Sequence, residues 1–332
     1  MRRQFNPRVE CASMKIYDCI PFFNEFELLR LRIAYLEDLV DCFVVIEAHQ
    51  THSGKPKPLH LSGSSAADLL RHPKIVVRAV DLPVGYSDWE REQHQRESIG
   101  AALKDIGASA QDLVLVSDVG EIPERASVTR ARDYLRAQRE RTILIFEQRM
   151  FFFRLNYELV WSRKLPWLGT AAALYGHAQT INGLRTTGRN IRGRHALGFD
   201  RGAKVFQVPG GGWHFSYLGD DEGLREKLAA HEEHSAKSRQ SGSIRELIDR
   251  RQSLFPRKGL EEVWAVVERA SVSLPETAVA RANLGHLFEV PHEPSGDILR
   301  RVRAVALPAR WRLGRLEFGY ARAGRWPRLP DH

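Results

Sequence analysis

Residues 112–123 read Asp-Leu-Val-Leu-Val-Ser-Asp-Val-Gly-Glu-Ile-Pro, an apolar run that stops in two carboxylates with a glycine between them. Leu113, Val114, Leu115 and Val116 have the length and branching of a buried strand, which sets Asp118 and Glu121 at or just past its C-terminal end. In open α/β sheets ligands bind at that edge. Carboxylates there suit a divalent cation, Mn²⁺ or Mg²⁺, that holds a phosphorylated substrate, because hard cations take oxygen ligands and keep open positions. Ordinary turn and helix-start chemistry is the competing explanation, since Pro123 suits a first helical turn.

On either side of this stretch strands and helices alternate. Residues 15–23 read as a strand, and Asn24 can cap a helix to about Leu39 with apolar Leu28, Leu31, Ala34 and Tyr35. Residues 42–48 and 74–80 read as strands with a short helix near 66–71 between them, and a long amphipathic helix follows over 88–106. Downstream, Pro123 opens a helix to about Arg139, and 142–153 form a strand. The alternation predicts an α/β fold with a mostly parallel sheet flanked by helices. After Arg154 tryptophans and glycines predict short strands and loops up to Gly212, with strands at 203–208 and 213–218 and helices at 222–234 and 243–255. The expected organisation is an extension over 1–13, one main domain over 14–258, and a helical, basic C-terminal region over 259–332.

The 332 residues are 43% hydrophobic and 27% charged, the composition of a soluble globular protein, with no run near the roughly 20 apolar residues of a membrane span. No apolar segment follows the basic N-terminus as a secretory signal requires, so a cytoplasmic protein is expected. Cys11, Cys19 and Cys42 make no disulfide framework and no zinc spacing. The net charge of +9 is uneven: nine arginines lie between Arg300 and His332, interleaved with Trp311, Phe318, Tyr320 and Trp326. A solvated tail explains them, with peripheral association of Arg300–Arg328 to an anionic membrane as the next reading. Nucleic acid is disfavoured, because no recognition fold precedes the tail.

Other polar groups fall near the same sheet edge. Asn24 and Glu25 stand at a helix N-terminus, useful for a nucleotide, although capping alone explains both. Glu47 ends a strand, where it would accept from a ribose or simply face solvent. Lys55, in a loop with His49, Thr51, His52, Ser53 and Gly54, can meet a phosphate as a point charge. Arg96 can reach a diphosphate or pair with Glu92 one turn away, and Gln95 lies beside it. In Gly210-Gly211-Gly212-Trp213-His214 the glycines allow close backbone approach to a ligand and Trp213 offers a face for a sugar. His214 suits a metal or a phosphate, or a buried structural role. Lys227 and His231 on the next helix continue the polar rim.

Together these pieces resemble glycosyltransferase family 17. The residues that carry the resemblance are Lys15-Ile16-Tyr17-Asp18-Cys19-Ile20-Pro21-Phe22-Phe23-Asn24-Glu25, Phe43-Val44-Val45-Ile46-Glu47 with Thr51-His52-Ser53-Gly54-Lys55-Pro56, and Gln95-Arg96. Ser117 through Pro123 and Gly212-Trp213-His214-Phe215-Ser216-Tyr217 complete it. Order and spacing agree from about residue 14 to about residue 258.

The resemblance implies a GT-A-like nucleotide-sugar fold and inverting transfer of a sugar, typically N-acetylglucosamine from UDP-GlcNAc, to a glycan or glycolipid acceptor. Asp118, Glu121 and His214 would hold the metal. Glu47, Arg96, Asn24, Glu25, Lys55 and Lys227 would hold the nucleotide, and Trp213 and Trp161 would stack on sugar rings. Glu121 or Glu147 would take the acceptor proton. In the family the acidic motif resembles Ser-Asp-Val-Asp-Glu-Ile-Pro, whereas here Gly120 stands for the second aspartate. A nucleotide-sugar-binding protein that has lost turnover is the alternative.

Overall fold

In the computed structural model, which describes residues 13–163, 165–192, 202–230, 242–255, 261–313 and 324–325, the predicted alternation of the first half is present. It comprises β1 (Ile16–Phe22), α1 (Phe26–Leu36), β2 (Cys42–Ala48), α2 (Ala67–Leu70), β3 (Ile75–Val80), α3 (Asp88–Asp105) and β4 (Leu113–Val116). These strands pair in parallel in the order β3-β2-β1-β4, as expected where crossovers return each strand to the same edge. All of β4 is buried, which a strand covered on both faces requires. Ser87 and Glu90 cap α3 reciprocally. Asn24 does not cap α1. Glu25 fills the N-cap position, and its carboxylate turns back to accept from the amides of Phe23 and Asn24.

The second half departs from the parallel plan. It contains β5 (Glu121–Pro123), α4 (Arg125–Arg136), β6 (Thr142–Phe152), β7 (Tyr157–Ser162), β8 (Trp167–Leu174), α5 (Ile181–Arg192), β9 (Lys204–Val208) and β10 (Gly212–Ser216). Then follow α6 (Asp221–Ala230), α7 (Ile244–Asp249), β11 (Glu262–Val266), α8 (Arg269–Val272), α9 (Glu276–Arg281) and α10 (Ser295–Leu313). The sheet runs β11-β7-β6-β8-β4-β1-β2-β3, and β8 lies antiparallel to both β4 and β6, as β7 does to β6 and β11. The expectation of a mostly parallel sheet is therefore corrected to a mixed, curled one. Short connections such as the residues between β6 and β7 allow only antiparallel return.

Pro123 does not open a helix. It ends β5, paired opposite Gly212, and the Glu124 side chain caps α4 by accepting from Ala126 N–H. The fixed φ of proline also suits a short strand, and β5 is three residues long. β6 is long enough to serve two further partners besides β7 and β8, pairing in parallel with β9 through its first half and with β10 through its second.

The expected boundary near residue 258 falls outside the described residues. Beyond it, β11 extends the sheet beside β7, and Val272, Ala278, Val279 and Leu287 share a core cluster with Ile16, Leu28 and Phe43. Each such fully buried aliphatic side chain contributes about 1.5–3 kcal/mol. Among the described residues no helix is long and apolar enough to cross a membrane. The first 12 residues and, in the arginine-rich tail, residues 314–323 and 326–332 lie outside the described residues.

Candidate active site at the β1–β4 crevice

β1 has β2 on one side and β4 on the other, so the winding reverses between β1 and β4. A crevice at the carboxyl ends of those strands is where such sheets bind ligands. Two side chains brace it. Gln95 of α3 donates to the carbonyls of Phe22 (3.3 Å) and Ile46 (2.9 Å), and its Oε1 lies 2.7 Å from His52 Nε2. One buried amide thus ties the ends of β1 and β2 to the polar loop that follows.

Arg32 of α1, fully buried, does the same for the acidic turn. Its guanidinium grips Asp18 with two bonds of 2.6 Å, and Nη2 also donates to Ser117 Oγ. Nη1 donates to the carbonyls of Asp118, Val119 and Glu121 at 3.0, 3.2 and 3.0 Å. The turn that presents Asp118 therefore hangs from α1, and losing one partner of this buried pair costs about 3–5 kcal/mol.

Asp118 and Glu121 meet a third charge that the sequence reading did not identify. Arg185 of α5, wholly buried, places Nη2 3.0 Å from Asp118 Oδ2 and 2.6 Å from Glu121 Oε1. Trp167 Nε1 donates to the same Glu121 oxygen at 2.7 Å, and the Asp118 amide donates to Oε2 at 3.1 Å. Burial pushes the Glu121 carboxyl above its ordinary range, with Asp118 adding to the push and Arg185 opposing it. For Arg185 burial pulls downward, but the two carboxylates more than offset it and hold the guanidinium above its usual value. The helix is anchored by α3. Glu97 accepts from the amides of Ile181 and Asn182, and Arg96 Nη1 donates to Asn182 Oδ1 at 2.8 Å. Ile181, Leu184 and Gly188 recur at helical spacing around Arg185, a signal that would have revealed an arginine on an apolar helix face.

Arg96 satisfies both of its expected readings in part. It pairs with Glu92 at 2.5 Å, and the same Nη2 lies 3.5 Å from Asp118 Oδ1. Asp118, with 38% of its side chain exposed, is the open end of this network. Glu25 and Lys227 meet at 2.6 Å at the same edge, with Lys227 also over the Tyr217 ring. Burial raises the Glu25 carboxyl, yet the Lys227 charge and the bonds it accepts leave it below the ordinary 4.5.

The residues expected to bind a divalent cation do not form a donor set for one. Both Glu121 oxygens are committed to three donors, and Asp118 is shared by two guanidinium groups. His214 pairs opposite Glu121 across β5 and β10, with its ring against Trp167 at 4.6 Å. Among the described residues no group of three or more His, Cys, Asp or Glu is placed to hold a metal.

Gly120 also changes meaning. A Cβ there would meet the Phe215 carbonyl oxygen at 2.0 Å, and the Phe215 amide donates to Gly120 O at 2.8 Å. The glycine is where β10 crosses the acidic turn, backbone on backbone. Gly212 serves the same contact from the other side, at φ +116 and with Ile122 O 2.2 Å from any Cβ. Gly211 and Gly212 thus lie close against protein, whereas a Cβ at Gly210 would meet nothing within 4 Å among the described residues.

Of the remaining expected ligand groups, Glu47 and Trp213 are spent on the fold. Glu47 is buried and accepts from Lys57 Nζ (2.8 Å) and the amides of His60 and Leu61, closing the loop after β2. Trp213 is 4% exposed, donates to Val272 O and packs edge-on against Tyr35, so it presents no face to a sugar. Asn24 sits in the turn whose amides Glu25 holds. Lys55 is exposed, its amide bound to Thr51 Oγ1. Glu147 is half-buried on β6 opposite Leu168, and Trp161 is half-buried on β7 opposite Val263. His231 lies outside the described residues.

A model of glycosyltransferase family 17 matches residues 4–179, slightly more than half of the chain. The β-1,4-mannosyl-glycoprotein 4-β-N-acetylglucosaminyltransferase of Rattus norvegicus is 28% identical over 123 residues, 34% of this chain and 22% of that protein. Its Homo sapiens counterpart is 28% identical over the same length, covering 23% of that protein. The chain thus spans less than a quarter of the length of the curated relatives it matches. A solved 2-C-methyl-D-erythritol 4-phosphate cytidylyltransferase of Francisella tularensis overlaps 65% of this chain and 99% of its own, at 12% identity and a TM-score of 0.34, too loosely to bear on function.

Proposed function

The chain belongs to glycosyltransferase family 17, and from that premise we propose that it transfers N-acetylglucosamine from UDP-GlcNAc to a hydroxyl of a glycan or glycolipid, with inversion, on a GT-A-type fold. The observation that carries this reading is Asp118. It stands at the carboxyl end of β4, in the crevice where the strand order reverses, inside the segment that the family model matches. The names of the relatives support the sugar, and the arginines beside Asp118 support a phosphorylated donor.

In this reaction the acceptor oxygen attacks the anomeric carbon as the bond to the diphosphate breaks, and UDP leaves with the bonding electrons. The hydroxyl proton passes to a carboxylate. Of the two candidates, Glu121 is buried and fully hydrogen-bonded, so it acts as a positioning residue that fixes Arg185 and the Asp118 amide. Glu147 is left as the base. Asp118, Arg96 and Arg185 belong to the donor side.

The test is UDP release from a panel of UDP-sugars offered with glycan and glycolipid acceptors. Acceptor-dependent release from UDP-GlcNAc supports the proposal. Bound UDP-sugar without release across the panel would sustain a non-catalytic binding protein instead, and failure to bind any UDP-sugar would remove both readings.

A further inference from the structure

The two guanidinium groups that meet at Asp118 each keep a donor in reserve. Arg96 and Arg185 are 1% and 0% exposed, and the Nε–H of each finds no acceptor among the described residues. Buried N–H groups are almost always paired, so two orphans on two arginines sharing one carboxylate are donors left for an acceptor that the described residues do not supply. Phosphoryl oxygens are such acceptors, and guanidinium groups bind them with charge-assisted hydrogen bonds.

The acids of the same motif point the same way. Glu121 is wholly committed, Gly120 has neither a carboxylate nor room for one, and a cation placed on Asp118 would face Arg185 Nη2 from the oxygen they share. We infer that Arg185, together with Arg96, takes the place a divalent cation would occupy between the motif carboxylates, so that this chain binds the diphosphate of a nucleotide sugar without a metal. The inference rests on the functional reading above and specifies how its donor is held. As the anomeric bond breaks, charge grows on the departing diphosphate, and cations fixed in a low-dielectric site stabilise it without reorganisation.

The experiment is calorimetric titration of the full chain with UDP, first in excess EDTA and then with Mn²⁺. The expected result is a Kd that agrees between the two conditions to within about threefold. Tightening by Mn²⁺ of about tenfold or more overturns the inference while leaving the nucleotide-sugar reading intact. Binding in neither condition overturns both. Arg96→Lys keeps the charge and removes the Nε–H, and is expected to weaken UDP in EDTA by about tenfold. An unchanged Kd in that variant removes the guanidinium contact from the proposal. If Arg96→Lys does not fold, the comparison on the native chain decides alone.

Discussion

Replacing Gly120 with aspartate would restore the spelling of the family's acidic motif, and the structure predicts that it damages the protein instead of activating it. The new Cβ would lie 2.0 Å from the Phe215 carbonyl oxygen, whereas real Cβ contacts essentially never fall below 3.0 Å, so β10 and the turn must separate by about 1 Å. That movement strains or breaks the 2.8 Å bond from Phe215 N–H to Gly120 O, worth about 1 kcal/mol, and overpacking of this kind costs a further 1–3 kcal/mol or so. The carboxylate itself enters a buried position, an additional loss unless a partner moves to meet it. The steric part alone is about 2–4 kcal/mol, which at roughly 2 °C per kcal/mol lowers the melting temperature by about 4–8 °C, and the buried carboxylate adds to it. Gly120→Ala carries only the steric part and falls by about 4–8 °C, less than Gly120→Asp by the cost of the carboxylate. Thermal unfolding followed by circular dichroism measures both variants, and UDP release with and without Mn²⁺ measures activity. A Gly120→Asp protein that melts with the native chain and gains metal-dependent turnover would refute the packing argument.

Three further predictions follow from the same contacts. Arg185→Met leaves Glu121 and Asp118 without their buried counter-charge and should lower stability by about 3–5 kcal/mol, while Glu121→Gln in that background recovers part of the loss, read in a denaturant double-mutant cycle. Glu25 has a folded value below its ordinary 4.5, so its pairing with Lys227 stabilises the protein above that pH and the benefit disappears as pH falls below it. Melting temperature should therefore drop more steeply between about pH 5 and pH 3 in the native chain than in Glu25→Gln. Glu147→Gln should abolish acceptor-dependent UDP release while UDP titrates with unchanged affinity; retained turnover would remove Glu147 as the base.

What the sequence made legible was local. The apolar runs of β1, β2 and β4 and the reciprocal Ser87–Glu90 cap are signals contained within a few residues, and so is the Arg96–Glu92 pair one helical turn apart. What escaped was decided by partners distant in sequence. Trp213 reads as a sugar platform until Tyr35 and the Val272 carbonyl enclose it. Glu47 reads as a ribose acceptor until the loop at His60 and Leu61 folds onto it. Arg185 went unnoticed because Gly183 and Gly188 on either side of it mimic loop composition, and because an arginine at the centre of an apolar helix face contradicts the usual pattern unless its carboxylates are already known. The antiparallel placement of β8 between β4 and β6 is likewise a long-range outcome that strand composition does not encode.

Of the two guanidinium groups that meet the acidic motif, Arg96 lies inside the segment matched by the family model and Arg185, which bridges both carboxylates, lies beyond it. Arg185 lies on α5 and the carbonyl that abuts Gly120 on β10, both after residue 179. A fragment ending there would keep both motif carboxylates and lose the guanidinium that bridges them. The letters of the motif and its electrostatic state are accordingly inherited from separate stretches of chain. Divergence confined to α5 can change how the same carboxylates are compensated, from fixed guanidinium to exchangeable ion, without altering a single letter by which kinship is read.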